Sequence, residues 1–311
     1  MLKLALLALT LMLSLLPVAV GSWTELGLFI GLMALTGIPH GATDHLVYEK
    51  VHGQMNWRGF LRMYLGSMLV YALLWWALPH MSLLLFLGLS AYHFGESQFL
   101  RYDLSHWPRW TKGWVALWGI WVLMLIIGGH EIASVDILNG MLLAQDSVAW
   151  IAANHMLMLT VMGVPLLLGG IMLAFGKFLS WRALGMECLM MAALIFLNTR
   201  SSLMVSFAVY FGLWHACQSI EGELAGLREA WPGFGLWDWV KAAWPFSVIS
   251  FGGLGFLLAG LPWWGAHISP LLVFFILISV LTLPHMQLME RLYRKQTNGS
   301  MPLEVKTPLK G

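Results

Sequence analysis

The chain has 311 residues, 59% of them hydrophobic and only 10% charged, with a formal net charge of +2 and a mean hydropathy of +0.76. Soluble domains carry about a quarter of their residues as charges, and the excess of Leu, Met, Trp and Phe runs the whole length here, which excludes a soluble domain with a single anchor. The small net charge and the lack of a dense basic run leave no surface for nucleic acid, and two distant cysteines, Cys188 and Cys217, argue against a disulfide framework or a zinc ribbon.

Crossing the hydrocarbon core takes roughly 20 apolar residues as a helix, and an open sheet cannot cross it with unpaired edges. Apolar runs fall at 2–20, 24–40, 61–79, 81–97, 113–129, 154–176, 183–198, 201–219, 243–262 and 268–288. They predict an all-α, polytopic integral membrane protein of about ten transmembrane helices, forming a single domain over 1–311. Run 2–20 has two readings. Lys3, the apolar stretch and the small-residue tail "VAVGS" fit a cleavable signal peptide over 1–20; a retained first helix is the reading favoured here. The segment 130–153 has room for a short interfacial helix, and 291–311 reads as a tail. No internal repeat or low-complexity segment is evident.

Lys and Arg in short loops set orientation. Lys3, then Lys50, Arg58 and Arg62, then Arg101, Arg109 and Lys112, then Lys177 and Arg182, then Arg228 and Lys241, and finally the basic tail all fall on one side. The opposite side is poor in base, with Arg200 the exception. This bias predicts a cytoplasmic C-terminus and a multi-pass protein of the cell (inner) membrane.

Four of the eleven histidines stand at one end of an even-numbered run: His40 in "GIPHGATDH", His93 in "SAYHFGESQ", His215 in "GLWHACQSIEGE" and His285 in "LTLPHMQLMERL". Even-numbered helices run from outside to inside in this topology, so the four share a depth near the cytoplasmic face. One such histidine alone is an ordinary polar end-group, but four at one level point to a site, because ionisable groups in a membrane helix are expensive. Imidazole suits iron, copper, nickel and zinc. Asp44, Glu96, Glu221 and Glu290 are candidates to orient the rings through N–H hydrogen bonds; His93 and Glu96 share a helix face, as do His40 and Asp44 if the helix continues past Gly41. His45 lies about 140° round a helix from His40 and is a candidate supporting residue. His52, His80, His106, His130, His155 and His267 read as interfacial or loop residues. Most of the 18 tryptophans fit an aromatic belt, while Tyr92, Phe94, Phe211 and Trp214 flank the candidate ligands as walls for an apolar substrate.

The segments "GIPHGATDH" (37–45), "AYHFGES" (91–97), "WHACQSIEGE" (214–223) and "TLPHMQLME" (282–290) resemble the Brp/Blh family of β-carotene 15,15′-dioxygenases, the bacterio-opsin-related proteins. The resemblance spans residues 25 to 295. It implies an integral membrane enzyme that cleaves β-carotene at its central double bond with O2, giving two retinal for a rhodopsin, at a histidine-ligated non-haem Fe(2+) site. It assigns His40, His93 and His215 as ligands. Family members often carry a second histidine four residues after the one matching His215; this chain has Ser219 there, a poor iron ligand. His285 is then the best candidate for the remaining ligand, with Gln218 and Glu221 weaker substitutes. No acid–base dyad stands out. Three other readings compete, one of them a cytochrome with bis-histidine haem, which would need opposed histidines on packed helices. Histidine-box oxidases need HxxxH or HxxHH clusters that this chain lacks. A transporter, or another metal- or proton-handling membrane protein without cleavage activity, is the main alternative; repeats and midplane sites typical of transporters are not evident.

Overall fold

The computed structural model describes residues 2–102, 106–130, 145–263 and 270–298. Among them every regular element is a helix: α1 (Leu2–Ser14), α2 (Trp23–Leu32), α3 (Asp44–His52), α4 (Trp57–Ala77), α5 (Pro79–Phe99), α6 (Thr111–Gly128), α7 (Gln145–Phe175), α8 (Trp181–Arg200), α9 (Leu203–Ala208), α10 (Ala216–Ala230), α11 (Leu236–Gly260) and α12 (Pro270–Asn298). Helix starts follow local chemistry. Ser22, Asn56, Ser180 and Ser202 each accept a hydrogen bond from a backbone N–H three residues on, satisfying a donor that the first helical turn leaves unpaired. Two wide π-type turns interrupt the regular ladder, Met33–Gly37 after α2 and Val209–His215 between α9 and α10.

Among the described residues, eight segments are long and apolar enough to cross a membrane: Trp23–His52, α4, α6, Ala153–Phe175, α8, Leu203–Ala230, Leu236–Trp263 and Leu272–Tyr293. The architecture is thus all-α and multi-pass. The other two expected spans differ for clear reasons. Helix α5 is long enough at 21 residues, but its inward-facing Ser90, His93, Ser97 and Gln98 dilute its apolar character. Helix α1 is 13 residues, shorter than the roughly 20 of a full span.

Several predicted ends also move. The tenth run was expected to stop just past His285, yet α12 carries Pro284 inside it and continues to Asn298. Residues 291–298, assigned to the tail, are therefore helical. The eighth run extends through α10 to Ala230, so His215 lies within a continuous helical segment. Of the polar residues at these ends, Gln218, Ser219 and Glu223 are buried, while Glu221 and Arg291 are exposed. Most of the expected interfacial helix at 130–153, all of 299–311 and His267 lie outside the described residues.

Lipid tails are as apolar as leucine, so helices in a bilayer gain little from burying apolar surface against one another and rely on close packing and interhelical hydrogen bonds. Helices α5 and α6 use the first device. A Cβ at Gly119 would stand 1.7 Å from the Ala91 carbonyl oxygen, and one at Gly95 would stand 2.0 Å from that of Val115, so these backbones meet only because both residues are glycine. The second device uses tryptophan. Trp75 Nε1 donates to Ser279 Oγ at 2.7 Å, Trp114 Nε1 to the Leu166 carbonyl at 3.0 Å and Trp214 Nε1 to Thr10 Oγ1 at 2.8 Å. Trp118 and Trp121 are buried as well. The interfacial belt expected of the tryptophans is thus only part of their use.

Lys3, counted with the loop charges in the sequence, is buried and paired. Its Nζ lies 2.5 Å from Glu187 Oε1 and donates to the Gln98 carbonyl. Tyr102 OH and Gln98 Nε2 also donate to Glu187. A buried carboxylate needs this set of partners, and the set joins α1, α5 and α8.

Candidate metal centre

Each of the four histidines reaches the interior by a different local device. The wide turn at Met33–Gly37 opens the helical ladder, Pro39 starts one 3₁₀ turn, and α3 begins afresh at Asp44. The Gly37 carbonyl is left free to accept the Nδ1–H of His40. His93 stands on α5 between Ala91 and Gly95, where α6 comes closest. His215 ends the second wide turn, and Ser97 Oγ lies 2.9 Å from its Nδ1. His285 follows Pro284, and its Nδ1 donates to Asp44 Oδ1 at 2.8 Å. Asp44 Oδ2 in turn accepts from Tyr64 OH at 2.9 Å.

The four rings converge. Centroids are 5.0 Å apart for His40 and His215, 4.8 Å for His93 and His215, 5.1 Å for His40 and His285, and 5.2 Å for His93 and His285. One ring nitrogen from each of His40, His93 and His215 falls within 4.8 Å of the others, a set able to hold a metal ion. All four side chains are buried. In His40, His215 and His285 the Nδ1 edge is engaged by an outer partner, which fixes the ring and turns the opposite Nε2 edge away from that partner. Both ring nitrogens of His93 and Nε2 of His285 are buried and make no hydrogen bond. Leaving such a group unsatisfied costs about 1–3 kcal/mol, and a metal ion among the four rings would engage one nitrogen of each. An all-imidazole donor set suits a first-row transition metal, and the Asp44–His285 pair is the usual carboxylate support of a ligating histidine.

The cluster borders a cavity of about 410 Å³ whose other walls are almost wholly apolar. Phe94 and Phe211 pack on His215, with centroids 4.8 and 5.3 Å away. Rows of side chains at helical spacing lead to three of the histidines: Leu83, Phe86, Leu87 and Ser90 toward His93, Leu203, Phe207 and Phe211 toward His215, and Phe275, Ile278 and Thr282 toward His285.

The other candidates fall in several places. His45 lines the cavity, stacked on Trp57 and tilted against Phe246 at 4.5 Å, well away from any face shared with His40. Asp44 serves His285 rather than His40, because the helix does not continue past Gly41 as that pairing required. His93 makes no hydrogen bond to Glu96 despite their shared face. Glu221 is partly exposed and paired with Arg101. Gln218 is buried but turned to Gln98 and the Trp214 carbonyl. Trp214 points to Thr10 on α1. Ser219 is buried, and neither it, Tyr92 nor Trp214 lines the cavity. Sequence reasoning missed Ser97, the Gly37 carbonyl and Tyr64. It also missed Glu223, a fully buried carboxylate that accepts from Thr43 Oγ1 at 2.5 Å and from Trp239 Nε1 at 2.9 Å. "SIEGE" hinted at it, since Glu223 lies eight residues past His215, but its partners come from distant segments.

No curated protein and no solved structure matches the chain. A family model described as beta-carotene 15,15′-dioxygenase matches residues 31–293, a span that takes in all four histidines, Asp44 and the cavity walls. By that match over most of its length, the chain belongs to the β-carotene 15,15′-dioxygenase family.

Proposed function

We propose that His40, His93, His215 and His285 together hold iron(II), and that the protein cleaves β-carotene at its central 15,15′ double bond with O2 to give two molecules of retinal. The observation that carries this reading is the convergence of four imidazoles on an apolar cavity inside a multi-pass helical protein of this family. His285 takes the place that Ser219 cannot fill: its ring adjoins those of His40 and His93, and Asp44 holds its outer nitrogen.

The reaction is self-contained. The C15=C15′ and O=O bonds break, two C=O bonds form, and both oxygen atoms end in product, so no proton or external electron is required. Iron(II) bound at the four imidazoles would supply the activation of O2. The protein's own tasks follow. The apolar walls hold one double bond of a stiff polyene beside the histidines, which supplies positioning. They also exclude water. Gly37, Ser97 and Asp44 orient three of the rings. With no proton to move, a catalytic acid or base has no task here. The substrate partitions into the bilayer and is taken from it, the C-terminus is cytoplasmic, and retinal passes to a rhodopsin.

Expression in a bacterial host that makes β-carotene tests this directly. Loss of colour with retinal in the extract is expected. Intact β-carotene beside expressed, iron-loaded protein would overturn the substrate assignment, and protein that binds no iron would overturn the centre.

A further inference from the structure

The residues that line the cavity form two sets with opposite exposure. Near α4 and α11, Leu61, Leu65 and Ile249 are 45%, 55% and 67% exposed although they line the cavity. Both helices belong to spans able to cross a membrane, so this arm opens sideways on an apolar outer surface. At the other limit Leu83, Ile126 and Leu203 are 0%, 5% and 8% exposed, so that arm is closed. The histidines lie between.

The closed arm has a definite depth. Leu83 precedes His93 by ten residues on one continuous helix, and Phe275 precedes His285 by ten on another. At a rise of 1.5 Å per residue each row is about 15 Å long. That is close to the distance from the middle of a bicyclic carotenoid to the far edge of one of its rings. We propose that the closed arm is a ruler: a polyene enters end-first between α4 and α11, its leading ring stops at Leu83, Ile126 and Leu203, and the depth of that stop decides which double bond rests at the histidines. The inference builds on the cleavage reading above and adds what selects the bond. A cavity open at both ends would let the chain slide and give mixed products. One closed end fixes the register without any polar contact, which a pure hydrocarbon could not make.

The stop can be moved. A leucine side chain beyond its Cβ reaches about as far as one single-plus-double-bond repeat of a polyene. Leu83→Ala and Leu203→Ala deepen the arm, while Leu203→Phe shortens it. Every double bond of the polyene reacts with the same balance, one O2 giving two carbonyl products. A shift of one repeat in either direction therefore replaces two equal aldehydes by one longer aldehyde and one shorter methyl ketone, because the adjoining double bond ends on a methyl-bearing carbon. The substrate is symmetric, so deepening and shortening give the same unequal pair.

The test uses β-carotene and the full-length protein in lipid nanodiscs. Binding is read first on the metal-free protein, from the circular dichroism that a chiral cavity induces in the polyene band. Products of the iron-loaded protein are then separated by chain length. The wild type should give equal fragments, and the three variants should keep the induced signal and give the unequal pair. Variants that bind and yield only equal fragments, at whatever rate, overturn the ruler and leave the cleavage reading intact. A wild type that binds iron and carotenoid without cutting overturns the cleavage reading and the ruler with it. If Leu83→Ala does not fold, the two Leu203 variants decide.

Discussion

Asp44 offers a sharp test of how the centre is held. Its two carboxylate oxygens accept from His285 Nδ1 and Tyr64 OH at 2.8 and 2.9 Å. Asp44→Asn keeps the shape but has one acceptor oxygen for two donors, and its amide N–H₂ cannot receive a proton from either. A hydrogen bond to a carboxylate is roughly twice as strong as one to a neutral acceptor. Loss of an outer partner typically weakens metal binding 10–100-fold, or about 1.4–2.7 kcal/mol. Asn, which can keep the His285 bond, should fall near the tenfold end. Asp44→Ala leaves His285 Nδ1 and Tyr64 OH both unpaired and should approach a hundredfold. The assay is an iron(II) titration of purified protein against a chromophoric chelator, with melting of the metal-free protein to separate loss of fold from loss of affinity. If both Asp44 variants bind iron as the wild type does while His285→Ala loses it, the orienting role is refuted. If His285→Ala itself keeps iron and turnover, the four-histidine centre is wrong.

Other expectations rest on separate contacts. Lys3→Met strands Glu187 in the interior and should destabilise the protein by about 3–5 kcal/mol, with Lys3→Met/Glu187→Leu recovering much of it; equal melting of wild type and single variant would disprove the pairing. Gly119→Ala drives a Cβ into the Ala91 carbonyl and should lower both melting temperature and iron content, since His93 lies two residues from that contact, whereas Gly88→Ala, with open space around it, should change neither. Ser97→Ala removes the partner of His215 Nδ1 and should weaken iron binding about tenfold, seen as a shifted chelator midpoint; an unshifted midpoint would show that Phe94 and Phe211 suffice to hold the ring. Removing iron should lower stability by about 2.7 kcal/mol relative to protein at 100 times its dissociation constant, readable as a drop in melting temperature that does not occur in His93→Ala.

That the four histidines belong together was legible because each stands at the same end of an even-numbered apolar run, and their rings do converge. Their supports were not. Asp44 and His285 are 241 residues apart, and Ser97 and His215 are 118 apart; no periodicity links such pairs. Run ends were misread where the interior is polar. Gln218 and Glu223 on α10 look like the edge of the membrane to a hydropathy count, but they face buried partners. Lys3 was misread in the same way, as a solvated loop charge rather than the partner of Glu187. The wide turns at 33–37 and 209–215 leave no mark in composition, because a π turn is a matter of one residue more per hydrogen bond.

Those two turns carry a consequence for how such a centre can change. Each behaves as a single residue inserted into an α-helix, placed just ahead of His40 or at His215. Deleting one residue there would restore a regular ladder and rotate everything after it by about 100°. His40 would leave the cluster by that rotation with every side chain in the chain still of the right kind. The count of backbone atoms between helix and histidine is therefore as much a part of the centre as the imidazoles, and substitutions alone cannot test it. Length variation inside these two turns is the change that the protein should tolerate least, while residues on the lipid-facing side of the same helices drift freely.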